Sequence, residues 1–295
     1  MSALAHSPRH AFREEVRRPE AEIDLARVAL LVAREEYPHL PVEVYRARLD
    51  QLAEEVRGGL GQESAPLLVL QELTRVLFHQ HGFRGNRSDY HDPRNSFLND
   101  VLDRRTGIPL TLGIVALEVG WRLELPLEGV SFPHHFLVRF RGEQTNLLVD
   151  AFDGGAVLFE DQAQILLDRV YGGMVRMRPA FLAPATRRDM VVRLLTNLKG
   201  VYLNAGDDRR ALAAVERLLV ARPDAASEHR TLGLLLARMG RMGEAARHLR
   251  DYLGSDPSPK DSERIRALLR RVERMDRENP GGGQDRNPSD VEHDA

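Results

Sequence analysis

Apolar residues recur along this chain with two periods, and the change between them divides its first part. Up to about residue 125 the spacing is helical. Ile23, Leu25, Val28, Leu30, Leu31 and Val32 predict a buried helix over 20–36 that ends before Pro38. Val42, Tyr45, Leu49, Leu52 and Val56 share one face of a second helix, 41–57, with Pro41 near its first turn and Gly58-Gly59 at its end. A third helix is expected over 65–80, followed by a polar loop over 82–93. Asn95 or Ser96 supplies the cap of a fourth helix carrying Phe97, Leu98, Val101 and Leu102, which Gly107 breaks. Pro109 opens a fifth, 109–123, so uniformly apolar that it must be buried. After Pro126 the period shortens, and 127–132, 135–141 and 146–151 read as strands. A helix over about 160–171 closes this region before a linker marked by Gly172-Gly173, Pro179 and Pro184.

The last third repeats itself. Gly206, Ala211 and Pro223 recur as Gly240, Ala245 and Pro257, and Leu198, Tyr202 and Leu219 recur as Leu232, Leu236 and Leu253. The common offset of about 34 residues is that of a helix–turn–helix tetratricopeptide repeat (TPR). The helices expected are 189–205 with 209–221, then 225–239 with 243–254, and a capping helix over 262–278. The fold class is therefore α+β over 19–180, a helical subdomain plus a small antiparallel sheet, followed by all-α helical hairpins over 187–278.

Composition adjusts this picture at the ends and on the surface. Residues 1–18 and 279–295 are expected to be disordered, the first polar and Arg-rich, the second rich in Gly and Asp. No signal-peptide pattern is visible and no stretch approaches the roughly 20 apolar residues of a membrane helix, so a cytoplasmic protein is the expectation. The chain has no cysteine, which excludes disulfides, thiolate metal sites and a cysteine nucleophile. Net charge is −2, but 187–271 holds 18 Lys/Arg against 11 Asp/Glu. A basic module on an otherwise acidic chain points to an acidic protein or peptide partner.

One constellation carries candidate chemistry. A thiol acyl-transfer site places a nucleophile at a helix N-terminus, a histidine base on a strand, and an orienting carboxylate on the next strand. The helix opening at Gly107-Ile108-Pro109, then His135, then Asp150 follow in that order. If the hairpin loop is 141–144, with Phe140 opposite Thr145, His135 faces Asp150 across the ladder.

The segment NSFLNDVLDRRTGIPLTLGIVALEVGW, with SFPHHFLVRF, LLVDAFDGG, the upstream GFRGNRSDYHDPRNSFL and the later NLKGVYLNAGDDRRALAAVERLL, resembles the SirB-type regulators. These are transglutaminase-like domains with C-terminal TPRs. The resemblance spans about residues 25–257. It implies a bacterial regulator, and related domains in F-box proteins serve in assemblies. By that resemblance His135 and Asp150 match the family histidine and aspartate, while Pro109 falls on the cysteine position. Two local departures are His134, where glycine is usual, and Ala151, where proline is usual. The first is expected to crowd the site mouth and the second to loosen the strand end.

The remaining candidates are weighed against plainer roles. Thr111 lies about 200° around the helix from position 109, so a backbone-bonded capping hydroxyl is expected rather than a nucleophile. His79, His81, His91 and His134 with Asp89 and Asp92 match no metal-ligand spacing, and neither metal nor cofactor is expected. The run 86–95 reads as a bracing loop in which Asp89, Tyr90 and Asn95 are candidate binding residues. Arg209, Arg210 and Arg241 are candidates for an acidic partner; without interleaved aromatics they argue against nucleic acid. The reading is a non-catalytic adaptor, a pseudoenzyme domain joined to a TPR module with His135 and Asp150 as a vestigial pair. The alternative is a hydrolase or acyl-transfer enzyme using His135 and Asp150 with an activated water or Thr111.

Overall fold

The computed structural model describes residues 7–62, 64–143 and 146–278. The chain divides into two compact units, with the boundary between Val201 and Tyr202.

The first unit begins with a helix that corrects the expected disordered arm. Helix α1 (Pro8–Val16) is capped by Ser7, whose hydroxyl accepts the His10 N–H at 3.2 Å, and it buries Phe12 and Val16. Its two apolar residues four apart form a minimal stripe that suffices once a surface is there to receive it. Residues 1–6 of that arm, and the expected tail 279–295, lie outside the described residues. The expected helix over 20–36 is shorter. A 3₁₀ turn, Glu20–Glu22, precedes α2 (Leu25–Ala33), because the Asp24 carboxylate accepts the Arg27 N–H at 2.8 Å and starts the helix there. Helix α3 (Val42–Leu60) runs through Gly58-Gly59 and stops at Gly61, whose φ is +61°. Gly59 serves packing: a Cβ there would sit 1.8 Å from the Glu72 carboxylate. Helix α4 (Pro66–Thr74) continues as a π-helical turn, Arg75–Gln80.

Two short strands, β1 (Arg84–Gly85) and β2 (Thr106–Gly107), pair in parallel on either side of α5 (Leu98–Arg104). Phe97, not Asn95 or Ser96, holds the N-cap position of α5, and Arg105, not Gly107, ends it in the left-handed region. Helix α6 (Pro109–Arg122) then passes through the core with its first twelve residues buried. The sheet is antiparallel: β3 (Leu127–Val130), β4 (Leu137–Arg141), β5 (Asn146–Asp150) and β6 (Ala156–Phe159), with β7 (Pro184–Ala185) beside β3, in the order β6-β5-β4-β3-β7. Strand β6 went unread because Gly154-Gly155 precedes it and only two of its residues are large aliphatics. Helix α7 (Ala163–Tyr171) covers one face through Val130, Leu137, Leu148, Leu166 and Leu167. The other face meets α6, where Gly113 and Gly120 leave room for Phe136 and Leu127.

Helix α8 (Arg187–Asn204) opens in the first unit, where Arg187 and Arg188 bind the carbonyls of Ile23 and Val16, each at 2.6 Å. The second unit holds α9 (Asp208–Ala221), α10 (Ala226–Arg238), α11 (Met242–Gly254) and α12 (Pro259–Glu278). The 34-residue offset is visible in its hydrogen bonds. Gly206 and Gly240 have φ of +71° and +79°. Asp207 N–H donates to Tyr202 O, and Arg241 N–H to Leu236 O, both at 2.9 Å. Each turn is the same glycine-dependent helix stop. Between α10 and α11, a Cβ on Gly233 would lie 3.3 Å from the Ala245 carbonyl, so small residues set this crossing. No helix among the described residues is long and apolar enough to cross a membrane.

Candidate functional site

The start of α6 is braced from below. Asn95 is fully buried: its Nδ2 donates to the carbonyls of Asp89 at 2.7 Å and Tyr90 at 3.3 Å, and its Oδ1 accepts from Asn86 Nδ2 at 3.0 Å. Its carbonyl accepts the Thr111 hydroxyl at 2.7 Å, and that hydroxyl in turn accepts the Ile108 N–H at 3.2 Å. Thr111 is thus the capping group of the helix whose first residue is Pro109, and its oxygen is fully engaged. The binding role expected of Asn95 is corrected by the same contacts: with every polar atom of its side chain bonded and none exposed, it orders the 86–95 loop instead. Asp89 and Tyr90 on that loop are exposed.

His135 and Asp150 come together, with Nε2 and Oδ1 2.9 Å apart and the side chains 15% and 4% exposed. The register that delivers them differs from the expected one. Phe140 pairs with Leu147, not Thr145, and Val138 with Val149, so the ladder is displaced by two residues. Thr145 itself lies outside the described residues. His135 lies in the bend before β4, which opens at Leu137 and not at the expected 135, so the pair is diagonal across the end of the ladder rather than directly opposed. A displacement of two keeps both on one face, where a displacement of one would have separated them. The Asp150 Oδ1 also accepts the N–H groups of Phe152 at 3.0 Å and Asp153 at 3.1 Å. Those bonds orient the carboxylate along the turn, and the imidazole N–H is not aligned with it, leaving Nε2 without a well-directed acceptor.

Phe152 is the centre that sequence reasoning missed. His135 meets its ring edge-on at 6.0 Å, Tyr90 at 6.1 Å, and the Arg87 guanidinium lies over it at 5.2 Å. Gly85 is its floor, since a Cβ there would come within 2.4 Å of the ring. Phe152 was legible only as the residue two after the aspartate in DAFDGG. Arg193 of α8 was missed altogether. Burial pushes its guanidinium below the usual range, with Tyr90 opposing, and burial pushes the Tyr90 phenol up, with Arg193 opposing. Among the described residues Arg193 forms no ion pair. Around the Phe152 ring the site therefore offers the His135 imidazole, the Tyr90 phenol and the Arg87 guanidinium, with the Asp150 carboxylate beside His135 and the desolvated Arg193 coupled to Tyr90. His134, expected to crowd this mouth, has φ +54° and packs edge-on against Tyr171 at 5.6 Å. The left-handed backbone gives glycine at that position a physical reason. Ala151 is buried at the end of β5. His81 pairs with Glu55 at 2.6 Å, and His91 packs edge-on against Tyr90 at 5.5 Å.

In the second unit the expected cationic residues are largely paired at home. Arg210 binds the Asp207 carboxylate at 2.9 Å, and Arg241 grips Glu244 through two contacts of 2.7 and 2.8 Å. Arg238 and Arg250 pair with Asp208 and Glu273. Arg209 is exposed. The unpaired positive charge lies instead on α12, where Arg266, Arg270, Arg274 and Arg277 are exposed and form no ion pair among the described residues. Their spacing of three and four residues makes one helix stripe, a signal present in the sequence and overlooked beneath the repeat.

This fold and site define a transglutaminase-like domain without its thiol, followed by tetratricopeptide repeats. The match to the transglutaminase-like superfamily covers residues 43–196 and that to the tetratricopeptide repeat covers 198–270. The chain belongs to the UPF0162 family. A UPF0162 protein of Xylella fastidiosa is 36% identical over 84% of this chain and 89% of its own length, and one of Pseudomonas aeruginosa is 32% identical over 70% and 74%. F-box only protein 21 of Homo sapiens is 41% identical over 85 residues, which are 29% of this chain and 14% of that one.

Proposed function

We propose that this chain is a non-catalytic, cytoplasmic regulatory adaptor of the SirB type, a pseudoenzyme domain joined to repeats that bind an acidic protein segment. The observation that carries the proposal is Pro109 at the first position of α6. An acyl-transfer enzyme of this fold needs a thiolate there, held by the helix N-terminus. Proline has no nucleophilic atom, and no cysteine exists elsewhere to replace it. The Thr111 hydroxyl is bonded to Asn95 and buried, which weighs against the enzyme reading. His135 and Asp150 then serve as a positioning pair for the 150–155 turn, beside a small recognition surface that includes Asp89 and Tyr90.

For the repeats, the exposed stripe on α12 and Arg209 suit an acidic partner, and the absence of aromatic side chains from α12 for base stacking weighs against a nucleic acid. Arg210 and Arg241 contribute only where a partner carboxylate displaces Asp207 or Glu244.

Two measurements on the full-length protein test the reading. Amidase, protease and transamidation assays should stay at background and be unchanged by His135→Ala; activity abolished by that variant would make this an enzyme using an activated water. Asp/Glu-rich peptides should bind more tightly at low than at high ionic strength, because exposed charges are screened over about 8 Å at physiological salt. Arg266→Glu with Arg270→Glu should weaken that binding. Equal affinity for acidic and basic peptides, or no salt effect, rejects the electrostatic part.

A further inference from the structure

The second repeat contains a group of side chains that neither packing nor the adaptor reading uses. His229 projects from α10, while His248 and Asp251, three residues apart, share one face of α11. The two Nδ1 atoms are 3.0 Å apart, and Asp251 Oδ2 lies 3.5 Å from that of His229 and 3.8 Å from that of His248. The histidine side chains are 21% and 16% exposed and the aspartate 49%, so the group opens to solvent on the carboxylate side.

These distances fit a coordination triangle. A circle through three points with those sides has a radius of about 2.0 Å, the length of a zinc–imidazole or zinc–carboxylate bond (~2.0–2.2 Å). A cation about 2.1 Å from all three donors would sit roughly 0.6 Å out of their plane, close to the ~0.7 Å of a regular tetrahedron with such bonds. Without a cation, two Nδ1 atoms at 3.0 Å require one ring to carry its proton there and the other to be bare. With one, both Nδ1 atoms become ligands and the ring that carried its proton there shifts to the Nε2–H tautomer. Two helices of a packed hairpin hold the donors, so little ordering remains to be done on binding. Arg247 and Glu244 flank His248 with opposite charges, and Glu244 is already held by Arg241.

We propose that His229, His248 and Asp251 form a binding site for a divalent transition metal of the zinc type, with the fourth position open to water or to a donor from a bound partner. Two imidazoles and one carboxylate suit zinc and its neighbours rather than calcium or magnesium, which take all-oxygen shells. The site would tie α10 to α11 and make the repeat module metal-responsive.

Cobalt(II) is the probe, because its visible absorption separates four-coordinate from six-coordinate sites. Untagged full-length protein, stripped with chelator, is titrated with cobalt and then with zinc. One equivalent should bind with the intense spectrum of four-coordinate cobalt, and zinc should displace it. His248→Gln and Asp251→Asn should each weaken binding by at least about tenfold. Asp251 is half exposed, so its variant preserves the fold, and far-UV circular dichroism checks both. Absence of cobalt binding at micromolar metal, a weak six-coordinate spectrum, or affinity unchanged in both folded variants would overturn the proposal.

Discussion

Phe136→Ala should destabilise the first unit by about 3–5 kcal/mol, the range for emptying a fully buried phenylalanine site. The ring is inaccessible to solvent and lies between two glycines. A Cβ on Gly113 of α6 would come within 2.5 Å of it, and one on Gly129 of β3 within 2.7 Å. Both positions are small because the ring fills their space, so neither can close the cavity the substitution leaves. The Arg193 guanidinium, 5.9 Å from the ring centroid, loses its aromatic face as well. The converse substitution, Gly113→Ala, should also destabilise, by about 1–3 kcal/mol, through overpacking. Trp121 is the one tryptophan in the chain and lies on α6, so its fluorescence during urea unfolding reports this unit by itself. A loss below about 1 kcal/mol for Phe136→Ala would mean that the ring is not the contact between α6 and the sheet. His135 is its neighbour in sequence, so the same variant should loosen the His135–Asp150 pair without touching either residue.

Glu118 is the second position of large effect. It is buried within α6, and its carboxylate accepts the Ala26 N–H at 2.9 Å and the Arg122 guanidinium at 2.5 Å. Glu118→Ala should cost about 3 kcal/mol, the lower end of what breaking a buried pair costs. Arg122 keeps Asp50 at 2.6 Å and the Glu118 carbonyl at 2.8 Å, whereas Ala26 loses its acceptor outright. Glu118→Gln preserves shape and an acceptor for Ala26, and should cost about 1 kcal/mol or less at neutral pH.

Burial pushes the Glu118 carboxyl above its ordinary value of 4.5, against the opposing pull of Arg122. The folded protein therefore holds this proton more tightly than the unfolded chain. The resulting stability is fully present below about pH 4.5 and is lost as pH rises through the raised value. Wild type should thus lose stability relative to Glu118→Gln as pH increases from about 4.5 towards neutrality. Parallel curves for the two proteins across that window would show that the Arg122 pairing outweighs burial.

Much of the secondary structure could be read from local signals. The second unit is the clearest instance: every helix expected there is present to within three residues at either end, because a 34-residue offset repeats the turn glycines along with the apolar positions. Helix α6 was equally plain, since an apolar run opening at proline can only be a buried helix. Helix α1 was not, because the two apolar residues it buries acquire meaning only from the surface that receives them. The α3 terminus misled for a related reason: Gly59 is small to admit Glu72, a requirement of packing that resembles a stop signal in one dimension.

The site divides along the same line. The amino-acid sequence alone determined that a histidine and an aspartate would stand on successive segments of a hairpin and that no thiol could serve them, since both follow from residue order and composition. Face survives an even error in register, which is why the pair was found although the ladder was misplaced by two. Only the tertiary structure decided that Asn95 is a brace, that Phe152 stands between His135 and Tyr90, that Arg193 is buried within reach of Tyr90, that Arg210 and Arg241 are held by nearby carboxylates, and that His229 meets His248 and Asp251. Each of those outcomes depends on which helix or turn faces a given side chain and on the rotamer it takes there. Periodicity reports the side of an element that is buried, and the partner met on that side is set by packing across the whole unit.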